Sequence, residues 1–461
     1  MTELPRFDRK MSDAEGLMWR LEKDPYLSST FAAVTILDKP PDFDRFLARM
    51  ERAVTVVERL GQRVQPAPVN LTAPMWVEDN NFDLRYHVRH IALPKPGSVR
   101  QLLDLASLIT CDPFDRTRPL WQFVLVDGLR GGKAALIQKL HHTIADGETS
   151  VKMSLQFLDF ERDAPDPPPV DPAQFADREP GPAVPQGDLL HDLLAGSLRL
   201  PLGLIRQIKD MLSDPTGIPE TGSAVADTVR GILSQLGDTE QAKSPLWKER
   251  SLRRRMEVLR TPFADTKAAA KRLGGTLNTA FLTAAAEAAG RYHARLGEPV
   301  DELRASMAIS TRGESSGSNA FSLARILVPT ADMPIGERFG WIQAAADAAR
   351  ESTATTSLET LAALASTLPT SVITRIARQQ AQTVDFATSN VRGSPVPLYI
   401  AGSEVLENYA VGPLGGVAFN LTLLSYNHNL DMGVNIDTAA VSEPKLLREC
   451  LEKAFAALRA A

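Results

Sequence analysis

Cysteine is scarce: Cys111 and Cys450 are the only two in 461 residues. Two thiols cannot build a disulfide framework or a cysteine-rich zinc site, and their scarcity fits a reducing cytoplasm. Long apolar runs are also missing. No stretch of about 18 uninterrupted apolar residues occurs, so no segment is built to cross a bilayer. The opening MTELPRFDRKMSDAEG is charged and has no apolar core before a small-residue cleavage site, so no conventional secretory signal is expected. The expected location is cytoplasmic, with any membrane or lipid-droplet contact peripheral. Charge of one sign is lacking too: 51 basic against 56 acidic residues leave a net charge of -5. That balance argues against nucleic-acid binding through phosphate neutralisation.

What is present describes a soluble globular chain, 44% hydrophobic and 23% charged. Its length exceeds what one compact core accommodates, so two domains are expected. Strand-like Thr30 to Leu37, helical Phe43 to Val57 and strand-like Trp121 to Asp127 form an α/β pattern in the first part. From Asp163 to Pro185 proline dominates and blocks both helix and central strand. The expected division is therefore 1–162, a Pro-rich and partly helical linker 163–248, and 249–461. Within the linker, apolar residues from Leu189 to Leu212 recur at helical spacing, beside Arg199, Arg206 and Lys209. That face suits packing across the domains or an interfacial lid. The second half restarts the α/β pattern: a helical region over Phe263 to Gly290, short strands at Arg304 to Ile309 and Ser322 to Pro329, then helices over Gly340 to Leu364 and Leu368 to Gln382. Strands at Phe386 to Val391, Val417 to Tyr426 and Asp431 to Ile436 precede a last helix over Glu443 to Leu458.

The most informative string is HHTIADG, His141 to Gly147. The preceding KAALIQKL reads as a strand and the following GETSVKMSLQFLDF as a helix, which puts both histidines at a strand end. An imidazole with a pKa near ~6.5 can take a proton from an alcohol, and a positioned base of this kind contributes roughly 10²- to 10⁴-fold. His142 is assigned that role. Asp146 is placed to cap the next helix, and Gly147 to permit the tight backbone between. An Asp-Gly pair also makes an ordinary turn, and paired histidines also serve as packing residues.

Several strings in order resemble the bacterial wax ester synthase/diacylglycerol acyltransferase family of the coenzyme A-dependent acyltransferase superfamily. These are PLW (Pro119, Leu120, Trp121), one hairpin before HHTIADG; FDLRYHVRHIALPKPG from Phe82; SNVRGSPVPLYIAG from Ser389; and FNLTLLSYNHNLDMGVNID from Phe419. The resemblance implies an α/β (α+β) architecture of two chloramphenicol acetyltransferase-like domains, each with a mixed sheet, enclosing a tunnel. It implies acyl-CoA as co-substrate, a long-chain alcohol or diacylglycerol as acceptor, and no tightly bound cofactor or metal. It also implies His142 as the catalytic histidine and Asp146 as a structural aspartate paired with an arginine, for which Arg63 and Arg312 are the candidates. This chain departs from the family pattern in three places. Thr279 follows Asn278 where an aspartate is usual, Arg392 replaces a proline, and His428 replaces a glycine.

For the chemistry, direct transfer is expected, because a thiolate with pKa near ~8.5 leaves readily without a covalent acyl-enzyme. Asn278 and Ser425 are the candidate donors to the oxyanion, or else satisfy nearby backbone. Trp121 is expected to pack beneath the catalytic hairpin. The basic run Lys248, Arg250, Arg253, Arg254, Arg255 and Arg260 suits coenzyme A phosphates or lipid headgroups, or a solvated helix face. Two rival functions stand beside transfer from acyl-CoA: a carrier-protein-dependent condensation enzyme, and a lipid binder that keeps the fold without turnover.

Overall fold

A computed structural model describes residues 7–66, 73–167, 242–310, 321–351 and 370–461. Six strands arise in the first part: β1 Thr30–Leu37, β2 Gln62–Gln65, β3 Met75–Glu78, β4 Val88–Ala92, β5 Trp121–Leu129 and β6 Lys133–His141. The second part contributes β7 Arg254–Pro262, β8 Glu302–Ser310, β9 Phe321–Pro329, β10 Phe386–Arg392, β11 Tyr399–Ile400, β12 Ser403–Val411, β13 Phe419–Tyr426 and β14 Asn429–Asp437. They form two six-stranded mixed sheets, ordered β11-β12-β1-β6-β5-β4 and β7-β14-β13-β10-β8-β9, and a small β2-β3 ribbon. The architecture is the two-sheet α/β arrangement expected from the sequence.

The sheets are not divided as the sequence was. β12 pairs antiparallel with β1, matching Val34 with Tyr409, so a segment from the second half completes the first sheet. The boundary at 249 therefore does not coincide with sheet membership. The two sheets are also stitched where β12 passes β14. A side chain at Gly433 would strike the Ala410 carbonyl, its Cβ lying 2.3 Å away, so glycine permits the approach. Beside it the buried Asp431 carboxylate accepts from the Asn408 N–H of β12 at 2.8 Å and pairs with Arg260 at 2.6 Å.

Arg254 to Arg260 form neither a helix nor an open basic face. They make the edge strand β7, and their charges are engaged locally. Besides the Arg260–Asp431 pair, Arg255 pairs with Glu257 at 2.7 Å, Arg254 lies 3.7 Å from Asp437, and Arg250 donates to the Gly416 carbonyl at 2.7 Å. Alternation explains the misreading: in a strand every second residue faces away, so Met256 enters the core while its arginine neighbours do not.

The single helix expected over Phe263 to Gly290 is two, Phe263–Arg272 and Leu277–Arg295, parted at Gly274, whose φ of 82° suits glycine. The helix at Gly340 begins earlier, at Ile335, and is described to Glu351. Most of the linker, including the apolar stretch from Leu189, lies outside the described residues.

Among the described residues the apolar faces collect into three large cores, beside a small cluster of Val384, Leu414 and Val417. One packs helices Leu277–Arg295 and Pro444–Ala460 on the second sheet around Trp247, Phe386 and Phe419. Another packs helix Phe43–Val56 on the first sheet around Phe46, Trp121 and Phe157. The third lies over the other face of the first sheet, where Leu102, Leu103 and Ala106 of helix Val99–Cys111 meet β7 at Met256.

His428 stands at the β13–β14 turn, where Tyr426 pairs with Asn429 and both loop residues are left-handed, Asn427 at φ 40° and His428 at φ 64°. Two-residue hairpins of this hand favour glycine at the second position, which accounts for the glycine usual there. His428→Gly is expected to raise unfolding stability by about 1 kcal/mol, read by denaturant titration, because glycine carries no left-handed penalty.

Candidate active site

The β5–β6 hairpin delivers the two histidines. His141 is the last residue of β6 and His142 begins the loop, with its N–H donating to the Ser29 carbonyl at 3.1 Å. The alternation of the strand sends the two rings to different surroundings. His141 is fully buried. Its Nε2–H donates to Glu22 Oε2 at 2.9 Å, and its Nδ1 accepts from the Thr143 hydroxyl at 2.7 Å, an arrangement that sets the tautomer. Glu22 also accepts from the Ser28 hydroxyl at 2.7 Å and the Ser29 N–H at 2.8 Å. Burial alone would raise its carboxyl pKa. The hydrogen bond from His141, with the Ser28 and Ser29 donors, outweighs that and holds it below the usual range.

His142 is only half-buried, with its Nδ1 covered and its ring tilted over Phe31 at 4.6 Å. Burial, reinforced by His141, pushes its pKa down to about 4. The ring is therefore neutral at pH 7.

Asp146 caps helix Gly147–Ser154, its carboxylate accepting from the Thr149 N–H at 2.7 Å, as the loop reading expected. Arg63 sits on the β2–β3 ribbon opposite Val77. Arg312 lies outside the described residues. Gly147 has a reason other than the tight backbone expected of it. A Cβ there would lie 2.9 Å from Val391 Cγ2, so glycine lets the loop rest directly on β10.

That contact brings the remaining candidates to one end of β10. Asn390, just before Val391, donates through Nδ2 to Asn278 Oδ1, which leaves the Asn278 amide N–H groups able to donate. Arg392, just after Val391, pairs in register with Ser425, whose hydroxyl accepts from the Gly393 N–H at 3.2 Å. Both candidates thus satisfy local polar groups and keep donor capacity. Thr279 is buried and fully used: its hydroxyl donates to Gln343 at 2.5 Å and meets the Thr276 hydroxyl at 2.9 Å. The threonine replaces the usual aspartate with a neutral bond network at the helix start.

Pro119, Leu120 and Trp121 support the hairpin from below. The Leu120 carbonyl accepts from the His141 N–H at 3.0 Å. Trp121 is buried, donates Nε1–H to the Leu60 carbonyl at 2.8 Å, and stacks on His87 at 4.6 Å. It packs, as expected. Glu22 was not among the residues singled out from the sequence, since an acidic residue just past a helix end has no spacing that ties it to His141, 119 positions away. Among the described residues no cluster of three or more His, Cys, Asp or Glu side chains could hold a metal, and no helix is long and apolar enough to cross a membrane.

Two sheet-rich halves with a histidine loop at their junction define an acyltransferase of the condensation-domain and chloramphenicol acetyltransferase-like class. The chain belongs to the wax ester synthase/diacylglycerol acyltransferase family: the profile of that family's catalytic domain matches residues 11–281, and that of its C-terminal domain matches 317–459. A putative diacylglycerol O-acyltransferase of Mycobacterium tuberculosis is 33% identical, over 98% of this chain and 92% of its own length. A probable diacylglycerol O-acyltransferase of the same organism is 26% identical, over 96% and 94%. The solved wax ester synthase/diacylglycerol acyltransferase of Marinobacter aquaeolei VT8 shares the fold, with a TM-score of 0.67 and 22% identity over 97% of this chain and 98% of that one. The starter condensation domain of rhizomide synthetase, solved in complex with C8-CoA, shares it with a TM-score of 0.57 and 11% identity, covering 99% and 95%.

Proposed function

We propose that this acyltransferase moves a long-chain acyl group from acyl-CoA to diacylglycerol or a long-chain alcohol, with His142 as general base and no covalent intermediate. The observation that carries this reading is the division of labour between the two rings. His141 is sealed and bonded at both nitrogens, whereas His142 is neutral and keeps partial exposure. Because Nδ1 is covered, Nε2 is the nitrogen assigned to the acceptor hydroxyl.

The hydroxyl proton passes to His142 as the oxygen attacks the thioester carbonyl. The tetrahedral oxyanion collapses, the carbon–sulfur bond breaks, and the proton returns from the imidazolium to the leaving thiolate. Asn278 and Ser425 are the donors assigned to the oxyanion, the first through its amide N–H groups and the second through its O–H, since in the bonds to Asn390 and Gly393 each acts as an acceptor. The complex of a same-fold condensation domain with C8-CoA supports an acyl-CoA donor.

The test is purified protein with palmitoyl-CoA and either hexadecanol or dipalmitoylglycerol, followed by free thiol and ester product. Thiol release that requires the acceptor is expected. Turnover only from a carrier-linked donor would replace this reading with condensation chemistry, and bound lipid without turnover would replace it with a binder.

A further inference from the structure

Lys139 carries a charge into the interior on the histidine strand itself, and the transfer chemistry makes no use of it. It lies two residues before His141, so alternation puts both side chains on the same face of β6. Lys139 is 2% exposed. Its ammonium donates to the Asp112 carbonyl at 2.5 Å, at the C-terminus of helix Val99–Cys111, where the helix dipole favours a positive charge. It also stands 4.3 Å from the centre of the Phe114 ring. Phe114 in turn meets the His141 ring edge-on, the two centres 6.5 Å apart. One ammonium thus pins both ends of the Asp112–Phe114 segment, and that segment closes against the histidine whose Nε2–H is held by Glu22.

Such a group is costly. An ammonium taken out of water weakens the fold unless its surroundings compensate, and an unbranched apolar side chain of similar length would fill the same space without that cost. Packing therefore does not explain the lysine. Its attraction to an aromatic face and to a helix C-terminus exists only while the nitrogen is protonated. Burial pushes its pKa down to about 8; Asp112, Glu22 and Cys111 favour the charge and Arg89 opposes it. The groups around it titrate elsewhere: burial lifts the Cys111 thiol above its ordinary value, and the Glu22 carboxyl lies below its own. Arg116, in the same loop, is turned onto Trp19, 3.6 Å over its ring and bonded to its carbonyl at 2.9 Å.

We propose that Lys139 is a positioning residue for the transfer reaction: its charge holds the Asp112–Phe114 segment against His141 and so fixes the loop that presents His142. This rests on the reading of His142 as the base. Lys139 acts through Phe114 and His141 and not on the reacting atoms, so its loss should lower kcat and leave donor binding alone.

The test is the pH profile of acceptor-dependent thiol release, across the neutral and alkaline range, in the full-length protein and in Lys139→Met. NMR of the histidine ring N–H signals accompanies it. In the wild type kcat is expected to fall with a midpoint near pH 8 while the KM for palmitoyl-CoA holds steady. The fall should be about tenfold, less than the 10²-fold that a displacement near 1 Å costs. Lys139→Met is expected to show the lowered kcat at every pH and no limb. Lys139→Arg, charged throughout, is expected to recover most of kcat and to lose the limb as well. Alkaline unfolding at this group would not mimic the effect. Between about 8 and the ordinary value of 10.5 the unfolded chain keeps a proton that the folded chain has released, so folding strengthens there as pH rises. Should Lys139→Met fail to fold, Phe114→Leu removes the ring and is expected to give the same flat, lowered profile. A limb that persists near pH 8 in a folded variant, or full kcat in that variant, would overturn the proposal. The His141 Nε2–H resonance, recognised by its shift in Glu22→Gln, is expected to move with a midpoint near pH 8 in the wild type and to stay fixed in Lys139→Met. If the wild-type protein releases no thiol with any acceptor, the transfer reading falls and this resonance alone decides the clamp: a signal that does not move overturns it.

Discussion

His142→Ala is expected to lower acceptor-dependent thiol release by about 10²- to 10⁴-fold, the contribution of a positioned base, while the KM for palmitoyl-CoA changes little. The loss should fall on kcat because the imidazole acts on the moving proton and not on donor binding. The pH dependence follows from the depressed pKa. With the ring's pKa at about 4, below the ordinary value of 6.5, the base remains unprotonated across the neutral range, so the acid limb of the rate profile should lie near pH 4. Stability behaves differently. Between pH 6.5 and about 4 the unfolded chain takes up a proton at this ring that the folded chain refuses, so folding weakens as pH falls through that window. Activity assays at short times, paired with denaturation at each pH, separate the two effects. An acid limb near 6.5 in the folded enzyme would contradict the buried, neutral imidazole.

The second large effect is expected at Glu22. Glu22→Ala removes an acceptor shared by His141, Ser28 and Ser29, leaving one buried and two half-buried donors without it. Hydrogen bonds to charged groups contribute about 1.5–3 kcal/mol each, and the loss of this group should cost about 3 kcal/mol of folding free energy. Turnover should fall about 10²-fold as well, because displacement of His141 shifts the loop that carries His142, and errors near 1 Å have that consequence. Glu22→Gln retains a carbonyl acceptor of the same shape and should recover most of the stability. Full kcat in a folded Glu22→Ala variant would show that His141 needs no fixed partner.

The parts legible in the sequence were those written in local pattern. Thr30 to Leu37 and Lys133 to Leu140 read as strands because largely apolar residues run between turn signals, and strands were found there, the second one residue longer. The loop chemistry was legible for the same reason: Asp146 lies three residues before Thr149, the spacing of a helix cap. Misreadings came where local pattern was ambiguous. Arginines from 253 to 260 suit a solvated helix as well as an edge strand, and only the antiparallel partner β14 decides for the strand. Tyr399 to Val411 was not read as strand at all, since its pairing partner, β1, lies more than 360 positions away.

The sequence alone therefore determined the kind of chemistry available: a histidine pair at a strand end, a cap that shapes the loop, and no thiol framework to constrain either. Tertiary structure decided which histidine is held and which is presented, because that depends on Glu22 reaching His141 from a distant helix end. It also decided why Gly147 is glycine, through the side chain of Val391, and which basic residues are buried. The physical reason is the same in each case. Spacing along the chain encodes only contacts within a few residues, whereas burial, charge pairing and pKa are set by neighbours that folding alone brings together.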